Sequence, residues 1–174
     1  MHDFLDQIEI ASGDARLYYL ALAGALLVPD ICGALEAPNG EATANSYQQW
    51  FDANYAQIML GGSSPLTAHD CWRFRCSFLH QGRTQHPQSG YTRIMFIEPG
   101  GPYPIMHMCS STTMNNESAL QIDVRLFCME MVAVARRWLA DVQGTEPFET
   151  NLQLFVRRHP NGIAPYIVGV PIIS

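Results

Sequence analysis

Apolar residues in the first half of the chain recur at helical rather than strand spacing. From about Asp14 to Val28, Leu17, Leu20, Leu22, Leu26 and their neighbours cover nearly the whole circumference of a helix, which predicts a central, buried one. Pro29 bends that helix or starts a second short one over Pro29–Glu36. Pro38-Asn39-Gly40 reads as a turn. Tyr47, Trp50, Phe51, Tyr55, Ile58 and Met59 then return at helical intervals, giving an amphipathic helix that Gly61-Gly62-Ser63-Ser64-Pro65 breaks. Thr67 is the expected N-cap of the next helix, with Asp70 at its third position. Gly82 supplies the stop after about Gln81.

The period then changes. Tyr91–Glu98 and Tyr103–Cys109 flank Pro99-Gly100-Gly101-Pro102, which predicts a two-stranded hairpin over about 92–109. After Asn115-Asn116 the spacing is helical again to about Val142. Leu120, Val124, Phe127, Met131, Ala135 and Trp138 make one face, thickened by Ile122, Leu126, Met129 and Val132. Gly144 ends this helix, and Thr145 caps a last one carrying Phe148, Leu152 and Phe155 as far as Pro160-Asn161-Gly162. The proline-interrupted apolar tail Ala164–Pro171 is expected to lie extended against the bundle. No repeat, low-complexity stretch or linker divides the chain. The expectation is one domain over 1–174, an all-α helical bundle with one small β-hairpin.

Composition narrows the chemistry. All ten cations are arginines and there is no lysine, so mechanisms that need an amine side chain are excluded. Net charge is −6, which excludes bulk electrostatic attraction to nucleic acid. The charge is uneven, however: residues 73–97 hold Arg73, Arg75, Arg83 and Arg93 and no carboxylate. A face that meets an anion would be this one. Five cysteines without a CxxC pair, mostly in apolar contexts, read as buried thiols in a reducing compartment. The start Met1-His2-Asp3 lacks the basic character of a signal peptide. The apolar run Leu17–Val28 is also shorter than the roughly 20 residues that span a bilayer. A cytoplasmic protein without membrane contact is expected.

The informative helix is Asp70–Gly82. Cys71, Phe74, Phe78 and Leu79 form its apolar stripe, extended by Trp72 and Cys76, and Arg75 falls inside it. A guanidinium aimed at a core needs a carboxylate or a ligand to offset its desolvation. Asp30 and Glu36 are the nearest candidates in the sequence. His80 sits at the helix end, where an imidazole beside a fixed guanidinium suits phosphodiester cleavage: one moves protons, the other stabilises charge on the phosphorane. The same residues also suit a purely structural role, a buried ion pair and a helix cap. His69, Cys76 and His80 share a face but are strung too far along one helix to reach a single ion, so no metal is expected. Arg157-Arg158-His159 reads as a cap that complements the helix dipole.

Arg75-Cys-Ser-Phe-Leu-His80 near a helix end resembles the Arg-x(4–6)-His motif of the HEPN superfamily. Pro29–Glu36, Phe74–Gly82 and Asn161–Pro171 also resemble segments of a family of uncharacterised bacterial proteins, a likeness that spans most of the chain and implies no activity. The HEPN resemblance implies a helical bundle, commonly a homodimer, and a metal-independent endoribonuclease that needs no cofactor. Toxin or defence-effector roles, with an antitoxin as partner, belong to the same expectation. The alternative is a non-catalytic HEPN-like dimeric module that binds nucleotide or regulates. On the ribonuclease reading Arg75 and His80 are catalytic, Asp30 orients Arg75, and Arg73 and Arg83 steer the RNA backbone. Cys76 occupies the place next to the arginine where HEPN ribonucleases often carry a polar residue. Arg75 and His80 lie about 140° apart on a straight helix, whereas Arg73 shares the face of His80 to within about 20°. Either the helix unwinds before His80 or Arg73 is the partner; Arg75 is favoured because its place in the stripe demands an explanation. The breadth of that stripe, with Trp72, Phe74 and Phe78, is expected to face a second copy across a two-fold axis.

Overall fold

In a computed structural model that describes residues 1–58, 64–101 and 105–174, the apolar segment of the N-terminal third becomes one helix, α2 (Tyr18–Glu36). Pro29 is buried within it and does not end it, so no second short helix starts there. α2 packs against all five other helices: α1 (His2–Ser12), α3 (Ala44–Trp50), α4 (Ala68–Gln81), α5 (Val124–Val142) and α6 (Glu146–Leu152). By length and composition α2 could cross a membrane, with a mean hydropathy of 1.6, yet 56% of that window is buried inside the protein. It is the core helix. α1 had no apolar run to announce it, and it docks through Leu5 and Ile8. The helix begun by α3 continues through a π-helical turn, Phe51–Tyr55, and a 3-10 turn, Ala56–Ile58. Phe51 and Tyr55 are fully buried there. Met59 and the break at Gly61–Ser63 lie outside the described residues.

The all-α expectation is corrected. The described residues are 51% helix and 14% strand, with six helices and three small sheets, so the fold is mixed α/β. The expected hairpin does not form as such. Strands β1 (Arg93–Ile97) and β2 (Cys109–Thr112) do not pair with each other; both flank β3 (Ser118–Asp123), β1 parallel and β2 antiparallel. The proposed turn is described only over Pro99–Gly101, and Pro102–Pro104 lie outside the described residues. β3 was expected to be the start of the long helix. Leu120 and Ile122 are fully buried and alternate with the half-buried Ala119 and Gln121. Leu120, however, also stands four residues before Val124 and seven before Phe127, so the strand and helix periods coincide over this stretch. Asp123 resolves the ambiguity: it ends β3, and its Oδ1 accepts a hydrogen bond from Leu126 N at 2.9 Å as the N-cap of α5.

The tail is also corrected. α6 ends at Leu152, and the remaining chain folds on itself in two short ladders, β4 (Arg158–His159) with β7 (Ile172–Ile173), and β5 (Gly162–Ile163) with β6 (Ile167–Val168). None of residues 156–174 is buried. This arm is paired on itself rather than extended, and none of residues 156–174 joins the core cluster. Pairing its backbone groups locally satisfies them without help from the bundle.

Candidate functional site

α4 is built as its sequence suggests. Thr67 accepts from Asp70 N at 3.0 Å and donates to Asp70 Oδ2 at 2.7 Å. Asp70 also accepts from Ser89 Oγ and Gly90 N, tying down the loop that returns after α4. At the other end Gly82 takes φ +63°, and Gly82 N and Arg83 N close on the carbonyls of Phe78 and Ser77. That left-handed residue turns the chain away immediately after His80.

Arg75 reaches in two directions. Its Nη2 lies 2.6 Å from Asp30 Oδ2 on α2, and its Nη1 lies 3.2 Å from His80 Nε2. The helix does not unwind before His80; the long arginine side chain bridges the angular gap instead. Cys76 Sγ stands 3.8 Å from the same Nη1. His80 is exposed, while Arg75 and Asp30 are largely covered, at 17% and 12% side-chain exposure. The site is therefore a solvent-facing imidazole backed by a half-hidden guanidinium and a buried carboxylate. Burial raises the carboxyl pKa of Asp30, and the Arg75 and His80 charges oppose that without cancelling it. Asp30 Oδ2 and Arg75 Nε are buried without an aligned hydrogen bond, so the ion pair leaves hydrogen-bonding capacity unused.

The other expected residues fall elsewhere. Arg73 lies over the Trp72 ring at 4.6 Å, its Nε donating to His69 Nε2 at 3.4 Å, and it does not meet His80. Glu36 is exposed at the end of α2, and the ion pair of Arg75 is with Asp30 alone among the described residues. Arg83 is exposed just past the helix end. Phe74 and Phe78 are not an interface stripe: they stack on each other and on Phe96 and Tyr19, inside this chain's own core. β1 and the N-terminal turn of α2 supply the cover that the isolated helix lacked. Among the described residues no three His, Cys, Asp or Glu side chains gather in a way that could hold a metal ion.

Behind the ion pair, the Tyr47 hydroxyl and Cys71 Sγ meet at 3.2 Å in full burial. Burial pushes the Cys71 thiol up to about 12, so it is an inert packing group. Two further features were not read from the sequence. One is a network in which Glu130 Oε2 accepts from Tyr55 Oη at 2.7 Å and lies 3.2 Å from His107 Nε2. A carboxylate between Met129 and Met131, on a helix face thick with apolar side chains, was the available signal. The other is Asn151, whose Nδ2 donates to the carbonyls of Ala34, Leu35 and Ala37. Nothing in its local sequence distinguishes it. No family model matches the chain, and neither a curated protein nor a solved structure matches it.

Proposed function

We propose that the chain is a metal-independent endoribonuclease of HEPN type, working as a homodimer in the cytoplasm, with a toxin or defence effector as the role it fits. The observation that carries the reading is the exposed His80 imidazole 3.2 Å from a guanidinium that Asp30 holds from behind. In this mechanism His80 takes the proton of a ribose 2′-hydroxyl. The 2′-oxygen attacks the adjacent phosphorus, the bond to the 5′-oxygen breaks, and that oxygen leaves with a proton. The products are a 2′,3′-cyclic phosphate and a free 5′-hydroxyl. Arg75 neutralises charge on the phosphorane, where a donor fixed in advance is worth most. In a dimer the second copy's imidazole supplies the acid while the first acts as base. Arg73, half-buried, and Arg83, exposed, flank Arg75 along the chain and contribute phosphate contacts on an otherwise acidic protein.

A second reading has its own support. The Asp30–Arg75 pair by itself accounts for a guanidinium in the apolar stripe, and a non-catalytic nucleotide-binding or regulatory module would need nothing more. RNA cleavage in EDTA separates the two. The wild type is expected to cut, His80→Ala to lose roughly 10²–10⁴-fold in rate, and Arg75→Lys to lose a comparable factor while keeping the charge. Wild type that cuts nothing, or a folded His80→Ala that cuts equally well, would leave the binding module as the function.

A further inference from the structure

Asp30 has a second neighbour. On the side of α2 that faces α6 lies a cavity of about 230 Å³, and Asp30 forms part of its wall together with Ile31, Ala34, Leu35, Asn151 and Phe155. The volume is below the ~300–1,000 Å³ of sites that hold drug-sized ligands, and suits one flat ring system. The lining side chains are apolar except for two, and both can only accept. Asp30 accepts as a carboxylate. Asn151 has its amide nitrogen surrounded by three backbone carbonyls, which fixes the flip, so its free atom is Oδ1. Gly40 keeps the space beside that oxygen open, since a Cβ there would stand 2.8 Å from Asn151 Oδ1. Asp30 itself is nine-tenths buried, and its Oδ2 is enclosed beside Arg75 Nη2 at 2.6 Å, which leaves Oδ1 as its free acceptor.

From this we infer that the cavity binds a guanine base, with its Watson–Crick edge against Asp30 and its face on Phe155. A pocket that only accepts requires a ligand that donates. Among the four RNA bases, guanine alone presents two adjacent donors, N1–H and the N2 amino group, with which to meet the two acceptors left in the wall, Asp30 Oδ1 and Asn151 Oδ1. Adenine and cytosine set an acceptor nitrogen beside their amino group, and uracil flanks its single N–H with carbonyls. Each of these would point a lone pair at Asp30. Arg75 takes Oδ2 and leaves the lone pairs of Oδ1 for a base. Unstacked bases are read by proteins in this manner, by an aromatic face and a hydrogen-bonded edge. The inference rests on the ribonuclease reading for its source of guanine, an RNA nucleotide next to the scissile phosphate.

Guanosine 3′-monophosphate, which cannot be cleaved, is the probe. Calorimetric titration of the wild type in EDTA is expected to show it binding at least tenfold more tightly than the adenosine, cytidine and uridine equivalents. Ala34→Leu fills the cavity from α2, and Ala42→Leu fills it from the exposed loop, in case the first disturbs the helix. Either folded variant should bring the guanosine affinity down to that of the other three nucleotides. Equal binding of all four, no binding of any, or a preference that survives in both folded variants overturns the inference. Cleavage mapping of mixed-sequence RNA keeps it apart from the reading beneath it. Cutting without guanine preference or nucleotide binding removes the cavity and leaves the ribonuclease, whereas guanosine binding without cutting removes the ribonuclease and leaves the cavity.

Discussion

Glu130 concentrates two contacts on one oxygen, from the Tyr55 hydroxyl and the His107 imidazole, and so ties the segment before β2 to α5. Burial draws the His107 pKa down, but the hydrogen bond and charge of Glu130, with Asp123 adding to them, raise it above its ordinary value of 6.5. Tyr55, on the third element of the cluster, stays neutral because burial and Glu130 push its hydroxyl well up. A cationic partner bound more tightly in the folded state stabilises it fully below the unfolded pKa, and that contribution is lost as pH rises through the raised folded value. The thermal midpoint of the wild type is therefore expected to exceed that of His107→Gln by several degrees near pH 6. The gap should close as pH climbs above 6.5 and through the raised folded value. A gap independent of pH would mean that the contact is one of packing and not of charge.

The Arg75–Asp30 pair shows why some of the site was legible at this scale. A charged residue inside an apolar stripe is a local contradiction, and sequence alone exposes it. Its resolution by Asp30 rather than Glu36 depended on α2 running through Pro29, which keeps Asp30 on the face toward α4. The Tyr55–Glu130–His107 cluster has no such mark. Its members lie 75 and 23 residues apart in sequence, and each is unexceptional where it stands.

Among the elements, α4 was readable from both caps inward because Thr67, Asp70 and Gly82 carry their own geometry. β3 was not, since its buried residues fit two periods and only pairing with β1 and β2 decides between them. The Asp123 side chain is what divides strand from helix, so Asp123→Ala should cost about 1 kcal/mol as a lost N-cap. Leu120→Ala, in the fully buried centre of the sheet, should cost about 2–5 kcal/mol. Urea unfolding measures both, and equal small losses at the two positions would contradict the assignment of residues 118–123 to a buried central strand.

At the scale of the molecule, the arm from residue 153 onward carries Arg157 and Arg158 and no carboxylate, while residues 1–152 carry sixteen carboxylates against eight arginines. Its exposed apolar residues include Leu154, Tyr166, Val168 and Ile173, each between 68% and 88% exposed. A surface both apolar and opposite in charge to the rest of the chain suits contact with another copy of that chain, now that Phe74 and Phe78 are spent internally. Light scattering at tens of micromolar is expected to give twice the chain mass for the wild type. Tyr166→Ser combined with Val168→Ser should shift it toward the monomer without changing the circular-dichroism spectrum. A monomeric wild type would remove the two-histidine arrangement and leave each Arg75–His80 pair to act alone.

The junction at Asp123 also constrains how this chain can change length over evolutionary time. One residue closes a strand and opens a helix there, with no spare residue between. A single inserted amino acid would have to be absorbed on one side or the other. On the helix side it turns α5 by about 100°, carrying Phe127 and Met131 off the core. On the strand side it slips the register and exchanges Leu120 and Ile122 for their outward neighbours. Insertions and deletions should therefore avoid residues 118–128 among descendants of this sequence, and collect instead in exposed loops such as Arg83–Gln88.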